Sequence, residues 1–377
     1  MKSLRQITRQ LKNAIRPLLP GRVKQILRRL REAGRRLLPR RRNPDAERGS
    51  LSAAAYADRL AAETEIFKGQ LEINNLPAIF HYWSDKYLRP MLEEFGVSNP
   101  DEFFAKYLRE SAAACKSSTP VFVSIGAGNC DTEVRIAQLL RKSGLERFTI
   151  ECLDMNPHML ERGRELAQRE GVAENLRFVE GDFNRWSAER TYAGIMANQS
   201  LHHVVNLEGL FEEVERSLDP RGYFVVSDMI GRNGHQRWPE ALAEVQRFWR
   251  ELPAGYRYNL QLQRHEELYI NWDCSQEGFE GIRAQEILPL LLERFRFAVY
   301  IGFANVVDVF IDRAFGHHFK AEQAWDRDFV DRVHAFDEQA LRDGSITPTH
   351  MMAVLTKART AGRYSRGLSP SAGVRPA

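Results

Sequence analysis

The most constraining feature of this chain is Val121-Phe-Val-Ser-Ile-Gly-Ala-Gly-Asn-Cys-Asp131. A β-branched and aromatic run breaks into Gly126-Ala127-Gly128 and then opens onto Glu133-Val-Arg-Ile-Ala-Gln-Leu-Leu140, a helix-forming segment. A strand, a glycine-rich turn and a helix in that order make a nucleotide-cofactor site. The turn must bring backbone N–H groups close to the ligand, and side chains would block that approach. Two glycines alone also serve turns that bind nothing. The next predicted strand, 148–153, makes the pattern more specific. It runs into Asp154, 28 residues after Gly126, and a carboxylate at that strand tip is placed to take both hydroxyls of a ribose.

From Pro120 onward the periodicity alternates between strand and helix. Strands are predicted at 121–125, 148–153, 176–180, 193–197 and 222–228, with helices at 132–142, 157–170 and 207–218 between them. Asp219-Pro220-Arg221-Gly222 reads as a turn before the fifth strand. Such alternation argues for an α/β fold with a mostly parallel sheet and helices on both faces. Residues 231–282 lose the alternation and gain aromatics. It resumes with a helix at 283–294, a strand at 297–303 and a last strand at 349–356. Residues 51–114 read as helical, with a helix starting at Ser98-Asn99-Pro100-Asp101 and running through Leu108. The implied organisation is a basic arm (1–42), a helical cap (43–118, its first eight residues a linker), a cofactor-binding core (119–230), an acceptor-binding insertion (231–282), the remainder of the sheet (283–359) and a disordered tail (360–377).

The net charge of +4 conceals a strong asymmetry. Residues 1–42 hold fifteen Lys and Arg against the single acid Glu32, so the arm carries +14 and the rest of the chain −10. Leu4, Ile7, Leu11, Ile15 and Leu18 recur at helical spacing, and the pattern resumes with Val23, Ile26, Leu27 and Leu30 after Pro17 and Pro20. An apolar stripe opposite arginines suits an interfacial helix on an anionic membrane. A solvated helix face, phosphate binding and a transit peptide are the competing readings. The arm has almost no aromatics to stack on bases, which counts against single-stranded nucleic acid. No run of eighteen apolar residues and no short secretory segment is seen, so a cytoplasmic protein, peripheral on the inner face of the membrane, is expected. Cys115, Cys130, Cys152 and Cys274 form no C-x-x-C pair and read as free thiols.

Ser-Ile-Gly-Ala-Gly-Asn-Cys, Leu-Asp-Met-Asn-Pro-His-Met-Leu-Glu, Glu-Gly-Asp-Phe and Gln-Ser-Leu-His-His-Val together resemble successive motifs of class I S-adenosylmethionine-dependent methyltransferases. The resemblance is good over 119–230 and loose over 283–357. It implies a Rossmann-like, seven-stranded sheet whose last strand is antiparallel, with S-adenosyl-L-methionine as cofactor. Gly126, Ala127 and Gly128 would approach its methionine portion. Asp154 would take the ribose hydroxyls and Met155 would pack on the adenine. Asp182, with Phe183 beside it, would bind the adenine amino group, and Asn198 would line the methionine side. Two departures stand out. The family usually has an acid where Ser124 stands and a third glycine where Cys130 stands. Asp154 as a helix N-cap before Pro157, and Asp182 as a turn acid, are the structural alternatives.

A hydroxyl acceptor needs a group to take its proton. Candidates must lie at the carboxyl ends of the strands, where the crevice of an open α/β sheet forms. His202 and His203 follow the fourth strand, Asp228 ends the fifth, and His235 lies just beyond; His235 is the preferred base. Asp273, Glu277 and His265 in the insertion are weaker candidates. Sequence spacing shows no metal-ligand cluster. The expected acceptor is a small molecule or a glycan, specifically a hydroxyl of a cell-surface glycan or its lipid-linked precursor. This rests on the membrane-type arm and, through the basic Leu-Pro-Arg start and Asn271-Trp-Asp-Cys-Ser-Gln-Glu-Gly278, on a resemblance to bacterial methyltransferases found with polysaccharide-assembly enzymes. Nucleic acid is disfavoured, because Asn198-Gln199-Ser200-Leu201 stands where base-methylating enzymes show an Asn/Asp-Pro-Pro-aromatic loop. A catalytically silent scaffold at the membrane and an RNA methyltransferase tethered by the arm remain as alternatives.

Overall fold

Alternating apolar residues build the centre of the molecule. The strands are β1 (Val121–Ile125), β2 (Thr149–Asp154), β3 (Leu176–Glu180), β4 (Tyr192–Asn198), β5 (Leu218–Met229), a short hairpin of β6 (Tyr258–Asn259) and β7 (Arg264–His265), then β8 (Arg296–Phe303), β9 (His350–Thr356) and β10 (Arg363–Tyr364). The computed structural model describes Tyr56 and residues 75–276 and 278–375. The basic arm, the linker, residues 51–55 and 57–74 of the expected helical cap, and Glu277 lie outside the described residues. Ala55–Ala377 is one compact unit.

All strands except the hairpin form one sheet of eight, in the order β10-β8-β9-β5-β4-β1-β2-β3. β1 pairs in parallel with β2 and β4, and β4 pairs in parallel with β5. β9 runs antiparallel between β5 and β8, as the resemblance implies. Successive strand residues serve opposite faces. Phe122, Ile150, Met196 and Val225 enter one apolar layer. Val123, Leu153, Ile195, Phe224 and Val226 enter the other. A sheet buried on both faces needs such near-continuous apolar strands.

The flanking helices follow the sequence reading closely: α3 (Pro100–Cys115), α4 (Asp131–Lys142), α5 (Pro157–Arg169), α6 (Leu207–Ser217) and α8 (Ala284–Arg294), with two short helices, α1 (Ala78–Trp83) and α2 (Arg89–Glu93), ahead of them and α7 (Pro239–Trp249) in the insertion. Asn99 caps α3 by accepting from the Glu102 N–H at 2.9 Å. The predicted turn at Asp219-Pro220-Arg221-Gly222 is a register shift inside β5: Tyr192 pairs with Leu218, and Gly194 then pairs with Tyr223. Ser111 on α3 holds this irregularity, giving its hydroxyl to the Ala193 carbonyl at 2.5 Å and accepting from the Tyr223 N–H at 2.7 Å.

Three differences from the sequence reading have physical causes. The tail from Thr360 is ordered rather than disordered. Tyr364 pairs with Tyr300 in β10, the Arg366 guanidinium reaches Glu338 and the Gly302 carbonyl, and Arg375 pairs with Glu240 at 2.9 Å. Its glycines and prolines mark turns, and its arginines have fixed acceptors. Among the described residues the sheet therefore has eight strands instead of seven. Between β8 and β9 lie α9 (Asp308–Ile311) and the long α10 (Ala324–Asp343), a region the sequence reading left without elements. Phe329, Val330, Val333, Ala340 and Leu341 of α10 are buried at helical spacing. The same helix presents Asp331 to Tyr87 at 2.7 Å and Lys86 at 2.8 Å, which docks the α1–α2 segment. Among the described residues no helix is long and apolar enough to cross a membrane.

Candidate active site at the carboxyl ends of the strands

β1 ends at Ile125, and the chain turns through Gly126 (φ 72°) and Gly128 (φ 54°) into α4. The Gly126 and Ala127 N–H groups both donate to the Leu153 carbonyl, at 2.9 and 3.1 Å. Gly126 must be glycine for packing as well as conformation, because a Cβ there would lie 2.5 Å from Cβ of Ser200. The Asp154 carboxylate then joins two loops. One oxygen accepts from the Gly128 N–H and the other from the Asn156 N–H, both at 2.8 Å. The N-cap of α5 is Asn156, whose Oδ1 accepts from His158 and Met159. Asp154 is therefore not the helix cap. It stands at the tip of β2, 9% exposed, with the glycine turn hydrogen-bonded to it.

Each departure from the family pattern is matched by a second residue. Ser124 donates its hydroxyl to Oε1 of Glu133 at 2.6 Å, so the first turn of α4 supplies the carboxylate that the end of β1 lacks. Glu133 is 2% exposed, and its Oε2 has no hydrogen-bond partner among the described residues. Cys130 takes the left-handed conformation (φ 58°) that the usual glycine would favour. Its side chain fits because α5 carries Gly163 opposite it; a Cβ on Gly163 would lie 2.8 Å from the Cys130 sulfur. The glycine has in effect moved from the loop to the facing helix.

Burial pushes the Glu133 carboxyl up to about 7, against the opposing hydrogen bond from Ser124. A carboxyl raised in the folded state favours folding below its unfolded pKa of 4.5, and that contribution is lost as pH rises toward 7. Glu133→Gln keeps an acceptor for Ser124 but cannot ionise. The variant is expected to gain up to about 3 kcal/mol of stability at pH 8 and none at pH 4.5. Urea unfolding at both pH values checks this, and an equal offset at the two would count against a buried ionising carboxyl.

The third strand leads to Asp182, which caps the short turn Phe183–Arg185 by accepting from the Asn184 N–H at 2.9 Å. Its turn role is thus real. The same oxygen also takes the hydroxyl of Tyr56 at 2.8 Å, and Asn184 donates to that hydroxyl at 2.9 Å. Burial, with Asp182 adding to it, pushes the Tyr56 phenol well above its ordinary value, so it remains a donor. The Tyr56 ring lies 5.3 Å from that of Phe279, which links the tip of β3 to the end of the insertion. Phe183 is 5% exposed and packs in the core, Met155 packs against the same layer, and Asn198 donates to Thr132 at 3.2 Å.

On the acceptor side the fold gathers residues from three distant segments. His202 and His203 stand on the turn Leu201–His203 after β4, Asp228 near the end of β5, and His235 shortly beyond. Asp228 is fully buried. It accepts from the N–H groups of Ser200 (2.9 Å), Leu201 (2.7 Å) and Met229 (2.8 Å), and it holds Nδ1 of His202 at 2.6 Å. Asp228 is thus buried behind His202 with its carboxylate engaged by these groups, so it is not exposed to an acceptor, which corrects its reading as a candidate base. Glu280, a residue the sequence reading passed over, completes the group. Its Oε1 lies 2.5 Å from Nε2 of His235 and 3.4 Å from Nε2 of His202, and its Oε2 lies 3.4 Å from Nε2 of His203. Burial disfavours a charge on His202, yet Asp228 and Glu280 outweigh it and hold the imidazole at about 10. Burial, joined by the charge of His202, lowers His235 against the pull of Glu280. Burial would raise Glu280, but His202 and His235 hold it far below the carboxylate range.

His202, His235 and Glu280 each offer a ligand atom within 4.8 Å of the others. The sequence reading expected no metal-ligand cluster, because positions 202, 235 and 280 share no local spacing. The visible clue to Glu280 is its place between Gly278 (φ 99°) and Gly281 (φ 63°), a carboxylate on a bent loop. Of the weaker candidates, Asp273 packs against Gly234, beside His235, where a Cβ would lie 1.8 Å from its Oδ1, whereas His265 stands on the hairpin. Asp273 accepts from the Ser275 N–H and hydroxyl, and His265, on β7, faces the Ala254 carbonyl at 2.9 Å.

Residues 117–277 match the family model described as a methyltransferase domain. This part of the chain is similar to methyltransferase domains, and S-adenosyl-L-methionine is its cofactor. The sterol 24-C-methyltransferase of Aspergillus fumigatus is 33% identical over 79 residues, 21% of each chain. The sarcosine/dimethylglycine N-methyltransferase of Aphanothece halophytica is 30% identical over 82 residues, 22% of this chain and 30% of that one. A solved geranyl diphosphate C-methyltransferase from Streptomyces coelicolor A3(2) is 12% identical, with a TM-score of 0.43 over 80% of this chain and 98% of that one. The chain spans about a fifth of the length of the sterol relative.

Proposed function

We propose that the protein transfers a methyl group from S-adenosyl-L-methionine to a hydroxyl of a cell-surface glycan or its lipid-linked precursor. The observation that carries this reading is the convergence of His202, His203, His235 and Glu280 beyond the ends of β4 and β5. A hydroxyl must lose its proton as it is methylated, and such a cluster provides for that loss. The residues on the cofactor side fit the cofactor. A glycine turn with positive φ at both glycines is tied to the Asp154 carboxylate at the tip of β2. When bound there, S-adenosyl-L-methionine supplies an electrophilic methyl on a sulfonium. The chain's own work is to hold the two partners in line, keep water out and receive the proton.

Two features support an amphiphilic acceptor at a membrane surface. Leu260, Leu268, Ile270 and Trp272 are exposed and all belong to the insertion, and exposed apolar residues that form one contiguous patch mark interaction surfaces. The +14 arm suits an anionic membrane surface. The silent-scaffold alternative loses its main motive, because Glu133 provides a carboxylate beside Ser124.

The test is transfer of a radiolabelled methyl group from the cofactor by the full chain. Lipid-linked oligosaccharides, free oligosaccharides, a sterol, sarcosine and RNA would be offered as acceptors. Alkali-stable label in the oligosaccharide fractions is the expected result. Label confined to the sterol, the amine or RNA would overturn the acceptor reading.

A further inference from the structure

We propose that His202, His235 and Glu280 form a binding site for a divalent transition-metal cation, beside the cofactor groove. Around a tetrahedral cation with bonds of about 2.1 Å, neighbouring ligand atoms lie roughly 3.4 Å apart. Nε2 of His202 is 3.4 Å from Oε1 of Glu280, which is that edge. Nε2 of His235 is 2.5 Å from the same oxygen, so one side chain opens by about 1 Å to admit the ion.

The surroundings are those of a built site. Asp228 takes Nδ1 of His202 at 2.6 Å, which turns Nε2 toward the cluster. A carboxylate behind a ligating imidazole fixes its tautomer and ring orientation and strengthens it as a ligand. Asp228 is itself held by three backbone N–H groups. The loops that carry the ligands are tied to one another. Gly234 N–H donates to the Gly281 carbonyl at 2.9 Å, and Ile282 N–H donates to the His202 carbonyl at 3.1 Å. His235 sits at φ 54°, a conformation that a non-glycine residue holds only where its surroundings enforce it. Tight approach is built in as well: a Cβ on Gly281 would lie 3.2 Å from Cε1 of His235.

The donor set indicates the metal class. Two imidazoles and one carboxylate suit zinc, manganese, iron, cobalt or nickel more than magnesium or calcium, which prefer all-oxygen sites. Three protein ligands leave at least one position open, as in sites that act on a substrate. An acceptor hydroxyl bound there would be oriented and made more acidic. That role rests on the hydroxyl-methylation reading; the binding of the cation does not.

The test uses the full chain, stripped with a chelator and titrated with cobalt(II) while visible absorption is followed. Zinc(II) titration by calorimetry runs in parallel, and S-adenosylmethionine is titrated into the same preparations. The expected result is one equivalent of metal with a tetrahedral or five-coordinate cobalt spectrum. His235→Ala and Glu280→Gln are expected to weaken binding by more than the roughly 10- to 100-fold typical of a second-sphere change, and Asp228→Asn by about that amount. Unchanged cofactor affinity in Glu280→Gln confirms that the variant is folded. A wild-type protein that binds the cofactor but gives only the aquo-cobalt spectrum overturns the site, as does metal binding that survives both ligand substitutions. Metal binding without cofactor binding would support the site and sink the methyl-transfer reading instead.

Discussion

Asp154→Ala is expected to abolish S-adenosylmethionine binding and methyl transfer together. A carboxylate at the tip of β2 can accept two hydroxyls of a ribose, and each charge-assisted hydrogen bond is worth about 1.5–3 kcal/mol. Losing both weakens binding by roughly 100- to 10,000-fold. The local damage adds to this, because the N–H groups of Gly128 and Asn156 each lose an acceptor at 2.8 Å. The glycine turn then loses its tie to the second strand. Asp154→Asn separates the two effects, since it keeps an acceptor oxygen for the backbone and removes the charge. It should fold like the wild type and bind the cofactor with intermediate affinity. Calorimetric titration of both variants, with thermal unfolding as the control, decides the matter. An Asp154→Ala protein that binds the cofactor as tightly as the wild type would remove the cofactor site from the tip of β2.

The core of the fold is legible in the sequence because its signals are local. A strand buried on both faces is a short apolar run, and a turn that needs positive φ shows its glycines, as at Gly126 and Gly128. Asp154 is readable for the same reason: it follows a strand at a fixed distance from the turn. Compensation between elements is not local. Nothing near Ser124 announces that Glu133, nine residues later in the first turn of α4, places a carboxylate on its hydroxyl. Nothing near Cys130 announces that Gly163 makes its room. The proposed acceptor site is the extreme case, since Glu280 meets His202 only after β5 and the whole insertion have folded back. Tyr56 likewise reaches Asp182 across 126 residues, and its tyrosine in an alanine-rich stretch gives no hint of that partner. Helix α10 was missed for another reason. Its apolar positions are interleaved with six acids and three arginines, which disguise a helix whose buried face is defined only against α1 and the insertion.

Arg237→Ala is expected to be the most destabilising single substitution near the acceptor site. Arg237 is 5% exposed and ties its own loop to the segment 305–308 through three acceptors. Its Nη2 pairs with Asp308 of α9 at 3.2 Å, its Nε donates to the Asn305 carbonyl at 2.9 Å, and its Nη1 donates to the His235 carbonyl at 2.9 Å. Burial would raise the Asp308 carboxyl, but His350 and then Arg237 hold it below the ordinary carboxylate range. Replacing a buried pair by matched apolar residues can be nearly neutral, whereas removing one partner leaves a buried charge behind. The second case applies here, and the loss should be about 3–5 kcal/mol by urea unfolding. Lysine cannot reproduce a planar fork that serves three acceptors, so Arg237→Lys should recover only part of the loss. The functional consequence follows from the third contact. With the His235 carbonyl released, one of the contacts that hold its left-handed backbone is lost, and the imidazole is expected to drift from Glu280. Methyl transfer should therefore fall in Arg237→Lys even where the protein is folded and binds S-adenosylmethionine normally. A variant with wild-type stability and wild-type turnover would show that the insertion is anchored elsewhere, and that the His235–Glu280 contact does not depend on this arginine.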